Sequence, residues 1–365
     1  MNHLEEALDL AARGWGATSP NPAVGAVVVR DGEVVGRGYH TWAGEKHAEV
    51  LALEEAGERA RGATLYVTLE PCAHHGRTRP CIDAILAAGV RKVVAPMEDP
   101  NPQTRGRGFM RLREAGIEVE LAGQYAAQAM EMNQPFIHFM RTGRPLVTLK
   151  AAVTLDGKIA APEDNAGWIT SETARLHVQT LRHRSDAILT GIGTVLADDC
   201  RLTDRSGLER SRPLLRIVLD SQLRLPSESR LATSCNSDVL VVTTSAGSLD
   251  RRRRLESMGV RIEVLERTDG RVSLEGVVDL LAREKYLSLM IEAGSRVNWS
   301  ALESGVADKI FFYYAPKILG GTQSIPVAGG TGRRRRKDAI RFRDVKLHSI
   351  AQDEFAVEAW VERGD

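Results

Sequence analysis

Short apolar runs alternate with helical patterns along this chain, and this alternation restricts the possible fold more than any other feature of the sequence. An apolar run at 23–29 is closed by the turn Asp31-Gly32, which is typical of a β-hairpin. The other elements predicted in the first hundred residues are strands at 64–69 and 92–95 and helices at 47–56 and 82–88. Such alternation is typical of an α/β layer fold.

The first domain is predicted to end shortly after a long helical pattern. A segment rich in proline and glycine, 99–108, precedes a helix and a strand within 110–121, and the helical pattern follows at 125–141. Pro135 would break that helix, because proline has no N–H and clashes with the preceding turn. We place the boundary at Gly143, which predicts two domains over 1–143 and 144–365. At about 150 residues per domain, a chain of 365 residues has room for two.

After Pro145 the alternation starts again and predicts a second α/β domain. The buried strands predicted there lie at 146–153, 187–190, 216–220, 239–243 and 287–292. Near the end of the chain, Phe355, Val357, Ala359 and Val361 recur at every second position. That period predicts a terminal strand in an antiparallel hairpin.

Charge and composition limit the classes of partner. The chain has 49 Lys and Arg against 48 Asp and Glu, so its net charge of +1 creates no field that would draw it to nucleic acid or to a membrane. Four cysteines are too few for a disulfide scaffold, and the acidic amphipathic start does not resemble a signal peptide. No apolar run approaches the 18 residues of a membrane span. We therefore expect a cytoplasmic protein.

The strongest chemical signal is one histidine and two cysteines, each next to a structural landmark. His47 is followed two residues later by Glu49, Cys72 follows a predicted strand, and Cys81 follows Pro80 at a predicted helix start. One imidazole and two thiolates suit Zn²⁺ with an open fourth position, the arrangement of catalytic zinc sites. A carboxylate beside such a position can take a proton from water and return it to a leaving amine, which gives Glu49 a role.

Two other interpretations of these residues stay open at this point. His74 or His75 would complete a closed structural zinc site, although such sites usually space their cysteines two to four residues apart. A disulfide between Cys72 and Cys81 is the other interpretation, and a cytoplasmic compartment disfavours it.

The second domain contains two glycine turns that follow predicted strands. In the first turn, 191–196, Leu196 stands where a dinucleotide-binding motif would have its third glycine. The second turn, 292–298, leads into a helix, and free amides at a helix start bind phosphate. Two such turns predict a cofactor crevice at the carboxyl edge of a sheet, and Lys150, at the end of a strand, faces the same crevice.

These motifs, taken together, resemble those of one enzyme family over essentially the full chain. The motifs that match the first half of the family's proteins lie at 20–25 (Pro-Asn-Pro-Ala-Val-Gly) and 71–81. Those that match the second half lie at 154–158, 168–170, 193–199 and 292–294. The family is the bifunctional deaminase/reductase of riboflavin biosynthesis. The resemblance implies a cytidine-deaminase-like three-layer domain followed by an α/β domain similar in fold to dihydrofolate reductase.

The resemblance also implies roles for individual residues. In the first domain, His47, Cys72 and Cys81 hold zinc and Glu49 moves protons. The implied contacts to the pyrimidine, ribose or phosphate come from Asn21, His40, His74 and Arg77. In the second domain, the implied NADPH contacts are Ala152, Trp168, Thr194, Asp198, Ser221, Gly294, Ser295, Arg296, Val297, Asn298, Trp299 and Ser300. The implied substrate contacts there are Arg182, Leu202, Arg205 and Glu292, and both arginines are expected to meet the ribose phosphate.

The chain departs from known patterns at three places. Zinc deaminases of nucleobases carry Pro-Cys-x-x-Cys, whereas eight residues separate Cys72 from Cys81 here. Ala166 stands where the family often has a serine that bonds the substrate, and Cys200 stands where the family usually has proline. The first of these two changes would weaken one substrate contact.

The family's two reactions give the expected function. The first is hydrolytic deamination of 2,5-diamino-6-(5-phosphoribosylamino)pyrimidin-4(3H)-one, and the second is reduction by NADPH of the ribosyl group of 5-amino-6-(5-phosphoribosylamino)uracil to ribityl. We expect a small phosphorylated pyrimidine as substrate, and a homo-oligomer. The alternatives are a nucleic-acid base deaminase with an appended binding domain, which the 5% aromatic content disfavours, and a zinc-stabilised binding module.

Overall fold

The protein is described by a computed structural model that covers residues 2–74, 79–163, 167–265, 267 and 270–363. The chain folds into two compact units. The first comprises Met1–Gly143 with Glu209–Arg212, and the second comprises Arg144–Leu208 with Pro213–Asp365. No helix in the described ranges is both long enough and apolar enough to cross a membrane.

The first unit is built on a mixed sheet whose strand order is β2-β1-β3-β4-β5. Its strands are β1 (Gly25–Arg30), β2 (Glu33–Tyr39), β3 (Thr64–Val67), β4 (Lys92–Ala95) and β5 (Glu118–Leu121). Its helices are α1 (His3–Ala12), α2 (Ala48–Ala56), α3 (Cys81–Ala88), α4 (Arg107–Glu114), α5 (Ala126–Met132) and α6 (Gln134–Thr142). Strands β1 and β2 form the predicted hairpin, β1 pairs antiparallel with β3, and β3, β4 and β5 are parallel.

Helices cover both faces of this sheet. Along β1, Ala26 and Val28 pack into a core with α2 and α3, whereas Val27 and Val29 point to the opposite face and pack with α1. Gly36 and Gly38 on β2 allow α2 to approach closely, because a Cβ at either position would lie within 2.3 Å of a backbone oxygen of that helix. The result is the expected three-layer arrangement.

The second unit contains a long sheet in the order β11-β10-β9-β8-β12-β6-β13-β16-β15 and a small pair, β14-β7. Its strands are β6 (Leu146–Thr154), β7 (Lys158–Ala160), β8 (Ala187–Gly191), β9 (Leu215–Leu219), β10 (Val239–Thr243), β11 (Arg261–Val264), β12 (Ser288–Ile291), β13 (Lys309–Ala315), β14 (Ile325–Pro326), β15 (Phe342–Ala351) and β16 (Glu354–Val361). Its helices are α7 (Glu172–His183), α8 (Ile192–Asp198), α9 (Arg230–Thr233), α10 (Leu249–Ser257), α11 (Leu274–Arg283) and α12 (Ser295–Glu303).

In the long sheet, the strands β11, β10, β9, β8, β12, β6 and β13 are all parallel to one another. Strands β16 and β15 add an antiparallel hairpin beside β13. Helices cover both faces, since α11 and α12 pack with Val147 and Leu149, whereas α8, α9 and α10 pack with Ile188 and Val218. Strand β6 lies between two strands that follow it later in the chain, β12 on one side and β13 on the other. The carboxyl ends of β9, β8, β12 and β6 therefore lie along one edge, where ligands bind in parallel sheets.

The structure differs from the sequence analysis at three places. The helix predicted at 125–141 is two helices, α5 and α6, which meet at Asn133, and Pro135 lies in the first turn of α6 rather than at the break. Strands β11 and β13 were not predicted. The terminal hairpin is confirmed, but Ala356 and Glu358 are buried, whereas Phe355 remains 37% exposed. Glu358 is tolerated inside because Lys309 and His348 pair with it.

Candidate active sites

The first site forms where two helices of the first unit begin. His47 is the N-cap residue of α2, and Cys81 is the first residue of α3, with Pro80 as its cap. Cys72 lies beyond β3 on a segment without regular secondary structure. The amide of Cys81 donates to Cys72 Sγ at 3.3 Å, and hydrogen bonding from the Cys81 thiol lowers the pKa of Cys72. The amide at this helix start thus stabilises the Cys72 thiolate, whereas hydrogen bonding with Cys72 and burial raise the pKa of Cys81.

The three predicted ligands meet with the spacing of a metal site. His47 Nδ1 lies 3.1 Å from Cys81 Sγ and 3.6 Å from Cys72 Sγ, and the two sulfurs are 3.4 Å apart. Zinc bound at about 2.3 Å from sulfur and about 2.0 Å from nitrogen would separate its tetrahedral ligands by about 3.5–3.8 Å. The donors therefore need to move by only a few tenths of an ångström, and one nitrogen with two sulfurs fits Zn²⁺.

The alternatives to an open zinc site find no support among the described residues. The only cluster of metal-ligating side chains found there is His47, Cys72 and Cys81, and His74 is exposed and outside it. The cysteines are free thiols, and a sulfur separation of 3.4 Å is far longer than the roughly 2.05 Å of a disulfide. His75, like the predicted phosphate contact Arg77, lies outside the described residues.

Glu49 lies in the first turn of α2, two residues after the ligand His47, and is only 4% exposed. Burial, strengthened by the nearby Cys72, raises the pKa of Glu49 to about 7. A carboxyl group in this range can both accept and donate a proton near neutral pH.

Two predicted substrate residues, Asn21 and His40, form a hydrogen-bonded pair beside the metal cluster. The His40 ring is 5.1 Å from the His47 ring, and burial lowers the pKa of His40, which favours its neutral form. His40 Nδ1 faces the carbonyl of Lys46 at 3.2 Å and must donate to it. Nε2 is then the acceptor for the Asn21 amide N–H at 3.0 Å, which fixes the orientation of that amide.

In the second unit, three predicted substrate residues form one ionic cluster at the carboxyl end of β12. Arg182 on α7 binds Glu292 through two nitrogens, at 2.8 and 3.0 Å, and Lys150 on β6 approaches it at 3.3 Å. Arg182 also donates to the Thr203 carbonyl at 2.9 Å. All three charged side chains are between 11% and 13% exposed. Burial by itself would raise the pKa of Glu292, but Lys150 and Arg182 lower it to about 2.

The second glycine turn leads directly into α12, whose N-cap is Gly294. Thr194, at the start of α8, lies beside it, since a Cβ built on Gly294 would be 3.7 Å from Thr194 Oγ1. Ser295 Oγ and Asn298 Oδ1 are buried in this region, and no hydrogen-bond partner is found for them within the described ranges. Orphaned buried polar atoms beside free helix amides fit a phosphate-bearing cofactor such as NADPH.

The other predicted residues of the second unit are spread more widely. Ala152 is on β6, Ser221 follows β9, and Asp198 ends α8. Trp168 is 69% exposed and contacts the Arg175 guanidinium, 4.8 Å from the ring centre. The remaining positions of the turn and its helix are Arg296, Val297, Trp299 and Ser300.

One loop carries the last two predicted substrate residues. Leu202 is buried with a left-handed φ of 54°, and Arg205 is exposed. Gln179 on α7 accepts from the Arg205 amide at 3.0 Å, and His183 pairs with Asp204 at 2.9 Å. The buried face of α7 therefore fixes this loop.

Sequence reasoning missed two residues that contact these sites. Tyr313 on β13 lies under Lys150, 5.7 Å from Nζ to the ring centre, and its hydroxyl is 2.6 Å from His177 Nδ1. The run of four aromatic residues 311–314 is the signal that would have predicted this strand. Glu70 is only 5% exposed. Its position two residues before Cys72 is the feature of the sequence that would have indicated a role near the metal cluster.

Comparison with known proteins gives the same two-part picture. Residues 1–97 match the family described as the zinc-binding region of cytidine and deoxycytidylate deaminases, and residues 145–355 match the RibD C-terminal domain. The riboflavin biosynthesis protein RibD of Bacillus amyloliquefaciens is 42% identical over 96% of this chain and 94% of its own length. RibD of Escherichia coli K12 is 42% identical over 96% of each chain.

Solved structures agree over the full length. Acinetobacter baumannii RibD has a TM-score of 0.87 at 36% identity, and the match covers 99% of this chain and 98% of that protein. A Thermotoga maritima diaminohydroxyphosphoribosylaminopyrimidine deaminase/5-amino-6-(5-phosphoribosylamino)uracil reductase has a TM-score of 0.83 at 34% identity, with the same coverage of both chains. With such identity over nearly all of both chains, and with a deaminase metal cluster in one unit and a cofactor crevice in the other, the chain belongs to the bifunctional deaminase/reductase family of riboflavin biosynthesis.

Proposed function

We propose that the two units divide the family's two reactions, with zinc-dependent deamination in residues 1–143 and NADPH-dependent reduction in residues 144–365. Each unit contains one candidate site of the matching chemistry. The observation that carries the proposal is the convergence of His47, Cys72 and Cys81 within 4.8 Å, next to the buried Glu49.

In the deamination step, the residues of the first unit bind the metal and move protons. His47, Cys72 and Cys81 would hold zinc, which acts as a Lewis acid and makes water a nucleophile at neutral pH. Glu49 would take a proton from the attacking water, and the oxygen of that water would bond to the amine-bearing ring carbon. Glu49 then donates a proton to the amine nitrogen, the carbon–nitrogen bond breaks, and ammonia leaves. One buried carboxyl group thus serves as base and as acid.

Substrate recognition in this unit is assigned to the polar side chains around the metal. Asn21 has its amide orientation fixed by His40, so it presents one amide N–H and its oxygen in a defined direction. We assign Asn21 and His74 to the pyrimidine and ribose, and Arg77 to the phosphate; both ring nitrogens of His40 are engaged, so we assign it to holding Asn21. The hydrogen bond between Asn21 and the buried His40 supports the roles of these two residues, because ordered polar groups lose little entropy on binding.

In the reduction step, NADPH supplies a hydride to C1 of the ribosyl group in its open imine form, and the protein supplies position and charge. We assign the Lys150, Arg182 and Glu292 cluster to the sugar end of the substrate. Arg182 already binds Glu292 and Thr203, so its contribution is to hold Glu292, and the exposed Arg205 is the better candidate for the phosphate.

The cofactor is assigned to the carboxyl edge of the long sheet. The α12 N-terminus, from Gly294 to Ser300, would receive the pyrophosphate, and Thr194 lies beside it. The remaining residues assigned to NADPH are Ala152, Trp168, Asp198 and Ser221. The buried Ser295 hydroxyl, which can donate to a phosphate oxygen, supports this placement.

A coupled assay tests the division of labour. Oxidation of NADPH is followed on addition of the diamino substrate to the wild-type protein and to Glu49→Gln, with Glu54→Gln, an exposed residue of the same helix, as control. Glu49→Gln should consume NADPH only when already deaminated substrate is supplied, whereas the control should behave as wild type. Equal NADPH consumption by Glu49→Gln on the diamino substrate would contradict both the role of Glu49 and the order of the steps.

The setting of the reaction is also proposed. The substrate is a small phosphorylated pyrimidine, and we retain the cytoplasm as the compartment because two free cysteines must stay reduced to bind zinc. A homo-oligomer is expected, and light scattering coupled to gel filtration measures it directly. A monomer at all concentrations would contradict this part of the proposal.

A further inference from the structure

One buried carboxylate near the metal cluster has all of its hydrogen-bonding capacity filled by backbone amides. Glu70 Oε2 accepts from Asp99 and Gly106, at 2.8 and 2.9 Å. Its Oε1 accepts from Gly108 and Phe109, at 2.8 and 3.3 Å. A carboxylate offers about four acceptor positions, so none remains for substrate or metal.

Glu70 acts as the N-cap of a helix to which it does not belong. The first amides of α4 need acceptors, and the residue at its cap position, Gly106, has no side chain to offer. The first turn of α4 also contains no acidic residue. Glu70 supplies both the acceptor and the negative charge that a helix N-terminus favours.

This contact lies directly beside a zinc ligand. Glu70 is joined to Cys72 through Pro71, and Gly108 packs against that proline so closely that a Cβ would lie 2.1 Å from the Pro71 carbonyl oxygen. His47 and Cys81 are held at helix starts, whereas Cys72 lies on a segment with no regular structure of its own. The position of Cys72 therefore depends on what packs against it.

One turn farther along α4, Arg111 links the two cysteine segments. Its guanidinium donates to the carbonyl of Ala73, the residue after Cys72, at 3.3 Å. It also donates to Asp83, in the first turn of the helix that starts with Cys81, at 3.1 Å. A planar guanidinium with several fixed donors suits such a bridge.

We infer that residues 99–114, which we call the brace segment, position the cysteine ligands of the zinc site, with Glu70 and Arg111 as the positioning residues. Glu70 fixes the brace segment to the backbone before Cys72, and Arg111 fixes the backbone after it to α3. This inference rests on the proposed zinc site but not on the proposed course of deamination.

Zinc release from the purified holoenzyme tests the inference. The rate of zinc transfer to a chromogenic chelator is measured for wild type, Glu70→Gln and Arg111→Gln. Loss of partners around metal ligands typically weakens metal binding by about 10- to 100-fold. We expect release to accelerate by about that factor in Glu70→Gln and by up to about tenfold in Arg111→Gln. The matched controls are Glu98→Gln, which loses only its pair with Arg105, and Arg113→Gln on the same helix.

A spectroscopic measurement separates positioning from general stability. With Co²⁺ in place of zinc, the visible absorption of the thiolate site reports ligand geometry and does not require turnover. Glu70→Gln should shift or weaken these bands in protein whose circular dichroism spectrum and cooperative unfolding match those of wild type, which shows that the first unit is folded. If Glu70→Gln does not fold, Arg111→Gln gives the same test.

Two results would overturn the inference. The first is wild-type zinc release together with a wild-type cobalt spectrum in folded Glu70→Gln and Arg111→Gln. The second is equal acceleration in the Glu98→Gln control. Failure of all variants, including wild type, to bind zinc or cobalt would instead refute the proposed metal site itself.

Discussion

The two candidate sites differ in how completely the protein assembles them. In the first unit, three metal donors lie within 4.8 Å of one another and the buried Glu49 is in place beside them. In the second unit, the sheet edge combines a satisfied ionic cluster with buried oxygens of Thr190, Ser295 and Asn298, for which no partner is found among the described residues. The deaminase site is built by its own side chains, and the reductase site is complete only with its cofactor.

This difference follows from the chemistry that each site performs. A metal site needs a few donors at short range, and helix starts provide rigid positions for them. A dinucleotide instead spans several strand ends, so its contacts are weaker individually and spread over many residues. Single substitutions should therefore abolish deamination but only weaken cofactor binding.

The largest effect should come from removing a zinc ligand. Cys81→Ser should lose zinc and reduce deamination by more than about 10³-fold, because a bound metal lowers the pKa of water to about 7. Reduction of the deaminated substrate should be unchanged, since that chemistry lies in the other unit. Zinc content by elemental analysis and the two separate activities measure this. Cys200→Ser, a cysteine outside the cluster, is the control, and loss of zinc in that variant would contradict the assignment.

The next effect concerns the ionic cluster of the second unit. Glu292→Gln leaves Arg182 and Lys150 largely buried without their carboxylate, and breaking a buried pair costs about 3–5 kcal/mol in the free energy of unfolding. Glu284→Gln, which breaks a half-exposed pair with Arg261, should cost less than about 1 kcal/mol. Denaturant titration compares them, and equal costs would show that the cluster is not buried as described.

The same cluster predicts a dependence on pH. The pKa of Glu292 is lowered from 4.5 to about 2, so the carboxylate stabilises the folded state above pH 4.5. That contribution is lost as the pH falls from 4.5 towards 2. The stability difference between wild type and Glu292→Gln should shrink over this range, and a difference that stays constant would contradict the assigned pairing.

A smaller effect is expected at the cofactor edge. Ser295→Ala removes a buried hydroxyl for which no partner is found in the described ranges, so the unfolding free energy without NADPH should not fall. If the cofactor bonds this hydroxyl, its loss should weaken NADPH binding by about 1 kcal/mol, or roughly fivefold. Calorimetric titration measures this. Ser304→Ala, which loses a bond to the Ser300 carbonyl at the other end of α12, should bind NADPH as wild type.

How much the sequence predicted also differs between the two units. The metal site was predictable because its donors are marked by short local motifs, and Glu49 is fixed by its position next to His47. Five of the parallel strands of the second unit, β6, β8, β9, β10 and β12, were predictable because their apolar runs are nearly continuous, as expected for strands buried on both faces. The ionic cluster itself was not predictable, because only the fold brings Lys150 and Arg182 to Glu292.

The misjudged elements share a physical cause, which is pairing over long distances in the chain. Glu358 broke the expected alternation because its partner, Lys309, lies on another strand, and β13 itself begins with that buried lysine. The break between α5 and α6 lies at Asn133 because its side chain exchanges two hydrogen bonds with the backbone of Ala23. Such partners outweigh local propensity and cannot be identified from neighbouring residues.

The smallest effect is expected from the arginine runs at 251–254 and 333–336. Arg253 is 79% exposed and its nearest acidic partner, Asp250, is 95% exposed, so the pair contributes almost nothing to stability. Arg253→Gln and Arg334→Gln should leave the unfolding free energy within about 0.5 kcal/mol of wild type and both activities unchanged.

Binding to a single-stranded oligonucleotide, measured at two salt concentrations, gives the sharper comparison. Salt-sensitive binding that both substitutions weaken would favour a nucleic-acid base deaminase, because neutralised phosphates release counterions. If neither the wild type nor the two variants bind the oligonucleotide, the small phosphorylated pyrimidine remains the substrate that fits a balanced charge and two compact sites.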